Sequence, residues 1–140
     1  FGNSFWSKFP TSFLEDIKMS LNEIGLSVNL SSGNLSTQVN ILCERMSDWN
    51  IGILQGSRDY FMSKFFGDIS QDDHHELIFS SNGLWDLSKP YPNCSTWVKN
   101  SGHHTFLIFP HSWFLKAGDV SAKDFAFDLV KQKKDISVRD

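Results

Sequence analysis

The sequence predicts an α+β domain in which an antiparallel sheet, a hairpin plus a four-stranded meander, packs against about three helices. Three observations carry this expectation. Apolar residues recur at helical spacing in three stretches, each opening on a serine. Between them, apolar and polar residues alternate in short runs rich in Val, Ile, Phe and Trp, as half-buried strands do. Gly- and Asn-containing turns divide these runs, and short turns join antiparallel rather than parallel strands. The 140 residues suffice for one domain, 1–140, with its own core.

Phe1 to Pro10 reads as an aromatic arm. Ser12 and Glu15 form a capping box for a helix whose apolar face is Leu14, Ile17, Leu21 and Ile24, closed by Gly25. Leu26, Val28 and Leu30 alternate, as do Leu35 to Cys43, and Ser31 to Asn34 is turn chemistry, so a hairpin is expected. A helical stripe through Leu35, Val39, Leu42, Cys43 and Met46 competes with its second strand. Trp49, Ile51 and Ile53 suggest a third strand. Ser57 then caps a short helix carrying Phe61, Met62, Phe65 and Phe66 up to Gly67, and Asp68 to Asp73 is an acidic loop.

The meander is expected from Glu76 to Ser80, Leu84 to Leu87, Thr96 to Lys99 and His103 to Phe109, with Asn82-Gly83 as a turn. Thr105 to Phe109 is the most apolar run and reads as the central strand. The last helix runs from about Ala122 to Lys133, capped by Ser121 and Asp124. Its apolar face is Ala122, Phe125, Ala126, Leu129 and Val130. Phe127 falls off that face and hints at a contact surface.

Thirteen phenylalanines and five tryptophans imply an aromatic core. The net charge of −3 argues against nucleic-acid binding, which needs clustered Lys and Arg. The basic cluster Lys131, Lys133 and Lys134 suits the negative end of the last helix. No run has the length of a membrane span. Cys43 and Cys94 are too few for a disulfide framework, although one bridge stays open. A cytoplasmic setting is favoured. The start at Phe1 and the sequons at Asn29, Asn34 and Asn93 keep secretion as the alternative.

His74-His75, His103-His104 and His111 supply ligands or bases, with Asp72, Asp73 and Glu76 beside the first pair. Two histidines and a carboxylate are the minimum for catalytic zinc, so His75, His104 and His111 define a metal-dependent hydrolase alternative. Adjacent strand residues point to opposite faces, so each pair offers one imidazole at most. Three segments resemble known families. Asn93 to Val98, NCSTWV, resembles the DCSGFV-type segment of the NlpC cell-wall peptidases, which implies a Cys–His pair, but no helix fits between Cys94 and His103. Gly83 to Asp86 resembles the DGLWD segment of the metal-dependent protein phosphatases, with Asn82 in place of the metal-holding aspartate. His111, Ser121 and Asp124 resemble the ligand pattern of the JAMM metalloproteases, with Phe109 where the first histidine belongs.

Each enzyme pattern lacks a required member. The reading favoured by the sequence is a small protein-binding module of the immunity-protein, antitoxin or regulator kind, without a cofactor. Aromatic side chains dominate binding hot spots. The expected anchors are therefore Trp85, Tyr91, Trp97 and Trp113, with Asp72 and Asp73 steering a basic protein partner.

Overall fold

The computed structural model describes residues 11–23, 25, 39–133 and 136–140. Its main sheet is parallel, with the strand order β1 (Ile51–Gly56), β2 (Cys94–Lys99), β5 (Val138–Arg139). β1 and β2 pair along their full lengths, from Ile51 opposite Cys94 to Gly56 opposite Lys99. β5 adds Val138 opposite Trp97 and Arg139 opposite Val98. A separate antiparallel pair joins β3 (Lys116–Ala117) to β4 (Val120–Ser121). The architecture is α+β with five α-helices among the described residues: α1 (Thr11–Glu23), α2 (Val39–Arg45), α3 (Gln71–Phe79), α4 (Leu84–Ser88) and α5 (Ala122–Val130).

The antiparallel hairpin-and-meander sheet is thus corrected to a parallel one, and three local causes account for the difference. Leu77-Ile78-Phe79 belongs to α3, because Ser70 Oγ accepts from Asp73 N at 2.9 Å and Asp73 Oδ2 accepts from Ser70 N at 3.1 Å. That reciprocal cap starts a helix just where an acidic loop was expected. Next, Gly83 makes no hairpin turn and has an ordinary φ of −84° as N-cap of α4. A Cβ there would lie 2.2 Å from Leu77 O and 2.5 Å from Ile78 O, so glycine serves a close approach of backbone to backbone. Finally, the run from Thr105 to Phe109 is not a strand. Only Phe106 turns inward, while Leu107, Ile108 and Phe109 lie on the surface. At Val39–Arg45 the helical stripe prevails over the strand. The expected hairpin turn and first strand, the arm, the Ser12 cap side chain and the sequons Asn29 and Asn34 lie outside the described residues.

Both faces of the sheet are covered, as a parallel sheet requires. Period-two alternation sorts the side chains. Cys94 and Val98, with Ile51 and Ile53, join Val39 and Cys43 of α2, Ile78 of α3 and Leu84 of α4 in one cluster. On the other face Trp97 packs with Phe106, Ala117, and Ala122 and Phe125 of α5, flanked by Leu54 and Val138. Gly52 lets α5 sit close, since a Cβ there would lie 2.3 Å from Leu129 Cδ2. Among the described residues no helix is long and apolar enough to cross a membrane.

Candidate functional site

Two surfaces of unlike chemistry stand out, and α5 builds the first. Ser121 Oγ accepts from Asp124 N at 3.0 Å and donates to Asp124 Oδ2 at 2.6 Å, fixing where the helix begins. From that start Ala122 and Phe125 face the core, and Phe127 and Val130 are left 53% and 78% exposed. Opposite them, Pro110 opens a short 3-10 helix (Pro110–Phe114), and the Trp113 indole N–H donates to Leu107 O at 2.9 Å. A groove of about 440 Å³ lies between, lined by Leu107, Trp113, Lys123, Ala126, Phe127 and Val130. Ile108, Phe109 and Phe114 extend the exposed apolar surface along this segment. The one cation of the lining, Lys123, holds its ammonium 5.8 Å from the Phe114 ring centroid and 5.7 Å from that of Phe127. Such a cation is attracted to the rings and stays available to an acidic group.

The second surface is a polar junction at the carboxyl ends of β1 and β2, the place where open parallel sheets commonly hold ligands. The loop after β1 docks on the loop after β2: Ser57 N donates to Lys99 O, Arg58 N to Ser101 O and Tyr60 N to Gly102 O. Gly56 permits this, because a Cβ would lie 2.3 Å from His103 O. Asp59, 1% exposed, accepts from Met62 N at 3.0 Å and from His104 Nδ1 at 2.8 Å. The start of α3 adds His74 Nδ1 on Ser57 O at 2.7 Å and His75 Nδ1 against Ser57 Oγ at 2.8 Å. A carbonyl only accepts, so His74 carries its proton on Nδ1. Its Nε2 is buried without a hydrogen-bond partner. The Asp59–His104 pair is the geometry of an aimed acid–base imidazole, with the buried carboxylate holding one ring nitrogen and leaving the other.

Burial holds the His74 imidazole below its ordinary value of 6.5, and burial, then the Arg58 charge, does the same to His75. With folded values depressed, the unfolded chain takes up protons first. Stability is therefore present above the unfolded value and is lost as pH falls toward the folded ones. The melting temperature is expected to drop between about pH 7 and about pH 5, less steeply in His74→Asn, which keeps a donor for Ser57 O. Equal pH slopes for the two proteins would remove His74 as the source.

The residues singled out in the sequence scatter. Trp113 lines the groove. Trp97 is completely buried, its indole N–H on Val120 O at 2.9 Å, where a partner does not reach it. Trp85 sits under Arg139 and Lys89, 5.0 and 5.8 Å from its ring centroid, and Tyr91 OH donates to Glu44 at 2.9 Å. Asp72 pairs with Arg58, and Asp73 is spent on the α3 cap. His104 and His75 both reach the polar junction, whereas His111 stacks on Phe109 with ring centroids 5.7 Å apart. Among the described residues no group of three or more His, Cys, Asp or Glu side chains is placed to hold a metal ion. Asn93 donates to Cys43 O and Met46 O, so that sequon asparagine serves the fold.

Sequence reasoning missed Asp59 and read Ser57 as a helix cap, whereas Tyr60 holds the N-cap position and Ser57 Oγ meets His75; the available signal was polar residues directly after an apolar strand. Compared with protein-family models, curated proteins and solved structures, the chain matches none, so its own surfaces are what point to function.

Proposed function

We propose that the chain is a protein-binding module whose α5 groove takes an amphipathic helical segment of a partner protein. The observation that carries this reading is the exposure of Leu107, Phe114, Phe127 and Val130 around one apolar groove. Isolated exposed apolar residues are ordinary, but a contiguous patch is kept for contact. Groove and occupant then follow a common recognition mode, in which apolar side chains at helical spacing fill the groove. Lys123 adds polarity to the choice. No carboxylate among the described residues ion-pairs with it, so an acidic residue on the partner segment is the complementary group. The partner is thus acidic at this edge, rather than the basic one expected from Asp72 and Asp73.

Phe127→Asp is expected to weaken the complex at least ~100-fold while leaving the melting temperature within a few degrees of wild type, because Phe127 is already exposed. Tyr60→Asp, equally exposed but elsewhere, is the control. The measurement is recovery of the complex from the protein's own source, followed by titration calorimetry with the purified partner. Retention of the partner by Phe127→Asp would overturn the reading. So would a concentration-dependent dimer that Phe127→Asp abolishes, since the occupant would then be a second copy.

A further inference from the structure

Cys43 of α2 and Cys94 at the first position of β2 belong to one core cluster, 1% and 5% exposed. Both are free thiols, close enough for each to perturb the other's hold on its proton. The surrounding chain holds them in that relation. Asn93, the residue before Cys94, spends its amide N–H groups on Cys43 O and Met46 O, both at 3.0 Å, which clamps the end of α2 to the start of β2. Cys94 also lines a cavity of about 280 Å³ together with Lys89, Pro90, Tyr91, Pro92 and Ser137. Cys94 is therefore the cysteine of the pair that borders a cavity, and Cys43 is the more deeply buried one.

We infer that Cys43 and Cys94 close an intramolecular disulfide, with a low-molecular-weight disulfide such as glutathione disulfide as oxidant. The Cys94 thiol loses its proton and attacks one sulfur of the oxidant. A mixed disulfide forms at Cys94 and one glutathione thiolate leaves. Cys43, deprotonated in turn, attacks Cys94 Sγ, so that the Cys43–Cys94 bond forms and the second glutathione thiolate departs. Two thiols are oxidised by two electrons, and one disulfide is reduced to two thiols. Burial pushes the Cys94 thiol up to about 12, so its thiolate is scarce and the bridge closes slowly. The product is a structural staple that joins α2 to the sheet, closing a long loop whose restriction favours the folded state.

The test uses the wild-type chain, incubated folded with glutathione disulfide, then denatured and alkylated. The expected result is an intact mass lower by about 2 Da, no alkylated cysteine, and one peptide pair linked through Cys43 and Cys94. The melting temperature rises by roughly 10 °C and returns on treatment with dithiothreitol. Two alkylated cysteines, or a glutathione adduct at Cys94 that never resolves, would overturn the inference. Cys43→Ser is expected to stop at that adduct; a variant that stays unmodified while folded would show that the cavity admits no oxidant and would overturn it as well.

Discussion

Trp97→Ala is expected to destabilise the chain by roughly 3–5 kcal/mol, and to lower the melting temperature by about 10 °C or more. Trp97 is the largest fully buried side chain among the described residues and lies on the middle strand of the parallel sheet. Its ring meets Phe106 edge-on with centroids 4.8 Å apart, and packs with Ala117, Ala122 and Phe125. Alanine would leave a cavity where β2, α5 and the β3–β4 pair meet, and would strip Val120 O of its indole donor. Backbone elements cannot close such a gap without parting from the sheet. Trp49→Ala is the comparison, because Trp49 is 65% exposed and should cost no more than about 0.5 kcal/mol. Chemical denaturation of the two variants decides the matter. If Trp97→Ala melts within a few degrees of wild type, the Trp97 ring does not fill the core on this face of the sheet.

The same tryptophan shows what a sequence displays and what it hides. Strands at Ile51–Gly56 and Cys94–Lys99 are legible from β-branched and aromatic residues in alternation, and α5 from Ser121, Asp124 and the spacing of Phe125 and Leu129. Which face of a strand becomes core depends on the elements that cover it, so Trp97 reads equally as an anchor or as a buried ring. The pairing of β1 with β2 is also hidden, because the whole stretch from Ser57 to Asn93 separates them and neither strand encodes its neighbour. The run Leu77 to Phe79 is too short to reveal its period, and only the Ser70–Asp73 cap settles it as helix. Phe127 is the legible part of the groove, being off the apolar face of its helix. Val130 lies in register with that face and is nevertheless 78% exposed, since the helix ends there, past the cover of the sheet. The polar junction had no pattern to find. Asp59 and His104 come from different loops, and only the parallel alignment of β1 and β2 brings those loops together.

Asp59 should prove the keystone of that junction, with Asp59→Ala costing about 3 kcal/mol or more and His104→Gln about 1 kcal/mol or less. The asymmetry follows from what each change leaves behind. Without the carboxylate, the Met62 N–H and the Gln55 amide, 3.5 Å from Asp59 Oδ2, lose an acceptor on the inner side of the junction, where both residues are buried. Without the imidazole, Asp59 keeps its backbone donor, and the His104 side chain is 40% exposed, so water replaces it. Asp59→Asn separates structure from chemistry. A carboxylate accepts only, which fixes the wild-type His104 proton on Nδ1 and leaves Nε2 as the nitrogen for proton transfer that a hydrolase would use. An asparagine can turn its N–H₂ toward Nδ1, and the proton then moves to Nε2. Nitrogen NMR of the imidazole at neutral pH reads the tautomer directly. An Nδ1–H form in wild type that converts to Nε2–H in Asp59→Asn is the expected result. A wild-type His104 already protonated on Nε2 would mean that Asp59 does not aim the ring, and would leave the hydrolase alternative without its base.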